Sequence, residues 1–145
     1  MKQIKVGIIG QGRSGRGIHG EYLKTASCKY RIAAVSDLLG DRCGRTEKEY
    51  NCKAYGDYHE MLGKEELDLV VNATPSHLHV PITLDVLKKG FNVVCEKPLS
   101  DNTGEIDMLI DTGEKSGKIF TVFQEARYEA ASGDILLLCL SAVRI

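Results

Sequence analysis

Apolar residues in this chain fall in short dense runs, and longer stretches with helical spacing separate them. The runs that read as strands are Ile4–Ile9, 31–36, 68–72, Asn92–Cys95 and 119–123, with Lys53–Tyr55 as a further short one. Leu69-Val70-Val71 and Val93-Val94-Cys95 are apolar throughout rather than alternating. Strands covered on both faces read this way, and that favours a parallel sheet. The intervening helix candidates are 13–26 with Ile18, Tyr22 and Leu23 as its apolar face, 39–50, 57–62, and 81–89 with Ile82, Val86 and Leu87. The last is Thr103–Ser116, with Ile106, Leu109 and Ile110 at helical spacing. Gly90 and Gly117 stand where the fourth and fifth helices should stop, and Thr103 is the expected cap of the fifth. Alternating strand and helix with short connections predicts an α/β fold, a doubly wound parallel sheet.

Between the first strand and the first helix lies Gly10-Gln11-Gly12-Arg13-Ser14-Gly15. Glycines at these spacings let the backbone turn tightly and approach a pyrophosphate, which then meets the N–H groups of a helix start. Asp37 ends the second strand, 22 residues after Gly15. That is close to the offset of about 20 residues at which an acid receives the ribose hydroxyls of a dinucleotide.

Composition narrows the class. The chain has 145 residues, enough for one domain with a real core. Nineteen basic residues against 20 acidic ones give no field to draw nucleic acid or an anionic membrane, so neither is an expected partner. No apolar run reaches the roughly 18 residues of a membrane helix, and the N-terminus enters a strand directly, which speaks against a secretory leader. Five cysteines (Cys28, Cys43, Cys52, Cys95, Cys139) are widely spaced with no C-x-x-C pair, as expected of reduced thiols in a cytoplasmic protein. Cys95 and Cys139 lie in apolar runs and read as small core residues, and Met61 and Met108 as core or half-buried ones.

In a parallel sheet every strand ends at the same edge. The glycine loop, Asp37, Thr74-Pro75-Ser76-His77, Glu96-Lys97-Pro98 and Gln124 each follow a strand. Five segments therefore line one rim, where an extended dinucleotide would lie. Taken alone, Lys97 reads as a solvated lysine before a turn proline.

The glycine loop, Ser36-Asp37, Ala73-Thr74-Pro75-Ser76-His77-Leu78-His79 and Glu96-Lys97-Pro98-Leu99 resemble, in order and spacing, the Gfo/Idh/MocA oxidoreductases. The resemblance covers residues 3–124. It implies binding of NAD, with NADP as the other coenzyme, and hydride transfer at a carbon of a sugar or polyol. It implies that Gly10, Gly12 and Gly15 hold the diphosphate, with Gln11, Arg13 and Ser14 of the same loop as further candidate coenzyme contacts, and that Asp37 takes the adenosine ribose and favours NAD by repelling the extra phosphate of NADP. Arg42, close by in sequence, softens that preference. Thr74, Pro75, His79, Glu96, Lys97 and Gln124 would line the nicotinamide side, with Lys97 also touching substrate as the candidate catalytic residue, and Pro98 would follow a cis bond. A lysine ammonium there would steady charge on the substrate oxygen, while a base takes the hydroxyl proton.

The resemblance also marks a boundary. It divides the chain into a Rossmann domain over 1–124 and a remnant, 125–145, of the connection to a second α+β domain. Relatives draw an Asp-x-x-x-His pair with the usual base from that second domain, and no such pair occurs here. The expected activity is therefore coenzyme binding with little turnover by the 145 residues alone. Glu125-Ala126-Arg127-Tyr128 departs from the basic pair common in relatives, and the apolar 135–143 run is an association hazard that leaves a homo-oligomer open.

Other readings compete at single positions. Methyltransferases also use a glycine loop and an acid after the second strand, but give Glu-Lys-Pro no role. The short length favours a non-catalytic dinucleotide-binding module, while the Glu-Lys-Pro segment favours an oxidoreductase origin. His77 and His79, two apart and without a matching cluster, are not spaced as a metal site, and no metal is expected. His77 reads as a helix-start residue, His79 as cleft-facing, and His19 and His59 as surface residues. Arg13 and Arg16 either assist the diphosphate or stay solvated, and 41–49 reads as an exposed charged face.

Overall fold

The computed structural model describes residues 2–124. Six strands, β1 (Ile4–Ile9), β2 (Tyr30–Ser36), β3 (Lys53–Tyr55), β4 (Leu69–Asn72), β5 (Asn92–Cys95) and β6 (Phe120–Val122), form one sheet in the order β3-β2-β1-β4-β5-β6. All pairings are parallel. This is the Rossmann strand order, and it reverses between β1 and β4. Register makes the rim level: Tyr55, Ser36, Ile9, Asn72, Cys95 and Val122 stand side by side across the sheet. The Asp37, Gly10, Ala73, Glu96 and Phe123 positions that follow five of them therefore emerge along one edge.

Both faces are covered, as the unbroken apolar runs require. On β1, Val6 and Ile8 pack with Leu23, Ile32, Val35 and Val71 on one face. Ile9 packs with Val70, Met61, Ile82, Val86, Leu87, Val93 and Leu109 on the other. The helices are α1 (Glu21–Thr25), α2 (Gly40–Tyr50), α3 (Tyr58–Lys64), α4 (His79–Lys88) and α5 (Thr103–Ser116).

The first helix departs from its expected face. A π-helical segment, Gly15–Gly20, precedes α1. The wider turn shifts the phase, so the segment buries Gly15, His19 and Gly20, and α1 buries Leu23. Ile18 is left 39% exposed and Tyr22 61% exposed, against the apolar stripe expected of them. His19 moves from expected surface to interior. A single-turn π insertion of this kind is often found at functional sites.

Three smaller corrections follow. A 3-10 turn, Ser76–Leu78, leads into α4, which begins at His79 rather than at Pro81. Pro81 sits in the first turn, where a missing N–H breaks no ladder bond. Asn102, not Thr103, caps α5, its side chain accepting from Gly104 N at 2.9 Å. On α5, Leu109 is buried but Met108 and Ile110 stay exposed, and among the described residues α5 packs chiefly on α4 and β6 at the end of the sheet.

Candidate functional site

Where the strand order reverses, the loops after β1 and β4 part and leave a cavity of about 690 Å³. It is lined by Gly10, Gly12, Arg13 and Ser14 from the first loop, Asp37 and Arg42 from beyond β2, and Thr74 and Pro75 from beyond β4. These eight were expected there. His77, from the segment expected at the rim, also lines it, as do Leu38, Leu39, Tyr58, Leu78, Pro81 and Ile82, which were not expected. The apolar pair directly after Asp37 was the available signal, for Leu38 is 85% exposed in a position that is neither core nor polar surface.

The glycine loop is built by close approach. Gly10 has φ +90°, and a Cβ there would stand 2.5 Å from Ala73 O, so the loop lies directly on the β4 loop. At Gly15 a Cβ would meet Gly10 O at 1.8 Å. Only glycine permits this crossing. The helical ladder opens with Arg16 N donating to Gly12 O at 3.1 Å. Earlier amides of a helix start have no partner within the helix and carry its partial positive charge, which is the arrangement that receives a diphosphate.

Asp37 ties this loop to the second strand. Its Oδ2 accepts from Gln11 N at 2.7 Å and its Oδ1 from Leu39 N at 2.9 Å. Arg42 Nη1 lies 3.4 Å from Oδ2. Asp37 thus shapes the loop as well as facing the cavity. Gln11, expected among the coenzyme contacts, is instead fully buried, its Nε2 reaching Ile8 O at 3.4 Å. Of the two arginines left open by the sequence, Arg16 pairs with Glu49 at 2.8 Å. That hydrogen bond holds the Glu49 carboxyl below its ordinary range, against the opposing pull of burial.

On the other side of the switch point, buried side chains do the holding. Asn72 donates from Nδ2 to His79 O and Thr83 Oγ1, both at 3.1 Å, and its Oδ1 accepts from Thr74 Oγ1 at 2.7 Å. His79 is buried rather than cleft-facing: Nδ1 lies 2.6 Å from Pro98 O and Nε2 2.8 Å from Thr74 O. It staples the Thr-Pro-Ser-His loop to the Glu-Lys-Pro segment, where the Lys97-Pro98 bond is cis as the resemblance implied. Glu96, expected at the nicotinamide ribose, is only 5% exposed and pairs with His19 Nε2 at 2.9 Å. Lys97 itself is exposed at the rim, as is Gln124 beyond β6. Burial pushes the Cys95 thiol up to about 11, which fits the core role expected of it.

Among the described residues no cluster of histidine, cysteine or carboxylate is arranged for a metal. No helix among them is long and apolar enough to cross a membrane. Cys139, Glu125, Arg127, Tyr128 and the 135–143 run lie outside the described residues.

Residues 4–124 match the oxidoreductase family Gfo/Idh/MocA, NAD-binding Rossmann fold. The chain belongs to this family. It is 34% identical over 122 residues to myo-inositol 2-dehydrogenase of Thermotoga maritima, covering 83% of this chain and 36% of the relative. Inositol 2-dehydrogenase of Rubrobacter xylanophilus is 30% identical over 117 residues, covering 81% of this chain and 33% of the relative. The fold of WlbA dehydrogenase of Bordetella pertussis, solved with NADH and UDP-GlcNAcA, superposes with a TM-score of 0.86 at 20% identity, over 97% of this chain and 42% of that one. This Gfo/Idh/MocA chain spans about a third of the length of the curated relatives it matches. It carries the family's NAD-binding Rossmann domain, related to inositol and sugar dehydrogenases. The glycine crossing at Gly10 and Gly15 and the switch-point cavity fit the coenzyme.

Proposed function

We propose that this chain is the coenzyme half of an oxidoreductase that passes a hydride between a nicotinamide and a carbinol carbon of a sugar or polyol. Residues 1–124 form the coenzyme domain and 125–145 begin the connection to the substrate-binding part. The observation that carries the reading is the level rim: the glycine crossing, Asp37, Thr74 and Lys97 stand at the ends of four adjacent strands, β1, β2, β4 and β5. A dinucleotide is long enough to touch all four.

In this reading the amides of residues 12–15 hold the diphosphate. Asp37 accepts the adenosine ribose hydroxyls, and its carboxylate favours NAD over NADP, a preference that Arg42 at 3.4 Å softens. Leu38 and Leu39 offer an apolar wall to adenine. Thr74 and Pro75 border the nicotinamide half, and Gln124 lies beyond β6 at the same edge. When bound, the coenzyme supplies the hydride acceptor. Lys97 donates a hydrogen bond to the substrate oxygen and steadies its developing charge. Gln11, His79 and Glu96 shape the loops rather than touch coenzyme. The base that takes the hydroxyl proton comes from outside residues 1–124.

The chain contains no tryptophan, so NADH emission reads binding without interference. Titration of NADH into the chain is expected to raise and blue-shift that emission, and Lys97→Ala should leave the adenosine-side affinity unchanged. An emission unchanged by saturating chain would end this reading. A second reading, a non-catalytic dinucleotide-binding module, rests on the same glycine crossing and cavity. NAD-dependent oxidation of myo-inositol by the chain would dismiss it.

A further inference from the structure

His19 and Glu96 are buried against each other at the junction of two segments with separate tasks. The π-helical segment that carries His19 begins at Gly15, the last glycine of the diphosphate loop. Glu96 opens the segment that presents Lys97. His19 Nε2 lies 2.9 Å from Glu96 Oε1, at 8% and 5% exposure. The ring of His19 meets Phe123 edge-on, with centroids 4.6 Å apart, which seals the pair on the β6 side. The other carboxylate oxygen, Oε2, accepts from the backbone N of Lys97 at 3.2 Å. One carboxylate is thus held by the coenzyme helix and in turn holds the Lys97 peptide. Beyond Lys97, Pro98 O is fixed by His79 Nδ1 at 2.6 Å.

An isolated buried carboxylate is costly, so its placement needs a stated cause. A purely structural cause would be served by any apolar filling of this space, and such fillings are often neutral or stabilising. What the pair adds is direction. The phase shift of the π turn brings His19 inward and aims it at the residue preceding Lys97. We propose that His19 is a positioning residue: through Glu96 it fixes Lys97 relative to the diphosphate loop, so that seating of the coenzyme and placement of the ammonium are one event. This rests on the reading of Lys97 as the group that faces substrate. It does not require this chain to turn over.

The test uses the 145-residue chain and amide hydrogen exchange followed by NMR. Glutamine at position 19 can place an N–H where Nε2 stands, and asparagine, one methylene shorter, cannot. In His19→Asn the Lys97 amide should exchange about tenfold faster, the factor expected for loss of one charge-assisted hydrogen bond. In His19→Gln it should stay within about twofold of the unsubstituted chain. The amide of Val35, in the opposite core, should be unmoved in both, and ADP affinity should be retained. Equal Lys97 exchange in the two variants, or acceleration at Val35 matching that at Lys97, overturns the proposal. Should His19→Asn not fold, the unsubstituted chain still decides: NADH must shift the His19 ring resonances and slow Lys97 exchange together. Protection of the residue 12–15 amides with neither change overturns it. If NADH does not bind at all, the coenzyme reading fails, while the comparison of variants at Lys97 stands unaffected.

Discussion

The two halves of the sheet hold their parts of the rim by opposite means. On the β1-β2-β3 side, main chain does most of the work: Gly10 and Gly15 allow two backbones to cross, and one carboxylate, Asp37, gathers the amides of Gln11 and Leu39. On the β4-β5-β6 side, buried side chains bridge segments far apart in sequence. His79 joins Thr74 O to Pro98 O, Asn72 ties the β4 loop to α4, and His19 reaches Glu96 from the first helix. A backbone cradle suits a diphosphate, whose oxygens need many weak donors and no particular side chain. A reacting oxygen needs one donor at one place, and that demands a supporting shell of locked rotamers.

The largest effect should come from the backbone side. Gly15→Ala sets a Cβ 1.8 Å from Gly10 O, with main chain on both sides unable to yield. A loss of about 3 kcal/mol or more, or failure to fold, is expected in urea denaturation. Gly17→Ala, two residues on with nothing within 4 Å, is the control and should cost nothing.

A smaller loss should follow on the other side. His79→Ala strips the ring from both Thr74 O and Pro98 O. About 2 kcal/mol is expected in the same denaturation. ADP binding should survive, since the β1-β2-β3 side is untouched; its loss would show that the halves are not independent. Least affected in stability should be Asp37→Ala, at about 1 kcal/mol, because Asp37 lines the cavity and its truncation opens the space through which water can reach the amides of Gln11 and Leu39. Its mark should be on the ligand, with ADP affinity down about tenfold by calorimetry. A deeper fall in stability than that of His79→Ala would reverse the contrast between the halves.

Legibility followed the same division. Gly10, Gly12, Asp37, Thr74 and Pro75 could be read directly, because each belongs to a local pattern set by the strand before it. Lys97 needed the resemblance, since a lysine before a proline has a blander explanation. His79 and Glu96 were placed in the right segments but given the wrong surroundings. Their partners lie 19 and 77 residues away, and nothing in a run of sequence states such a pairing. Ile18 and Tyr22 misled for a different reason. Helical spacing assumes 3.6 residues per turn, and the π segment breaks that period at Gly15–Gly20.

The sequence by itself determined the alternation of strands and helices, the parallel sheet, and the placement of the glycine crossing and Asp37 at the strand ends. These are consequences of apolar periodicity and of backbone freedom at single residues, both local quantities. Only the tertiary structure decided that His19 turns inward, that Gln11 and Glu96 are buried, and that His79 is a staple. Those outcomes depend on which side chains meet after the sheet has closed and the π turn has changed the helix phase, and the energy of a buried hydrogen bond is fixed by both its ends.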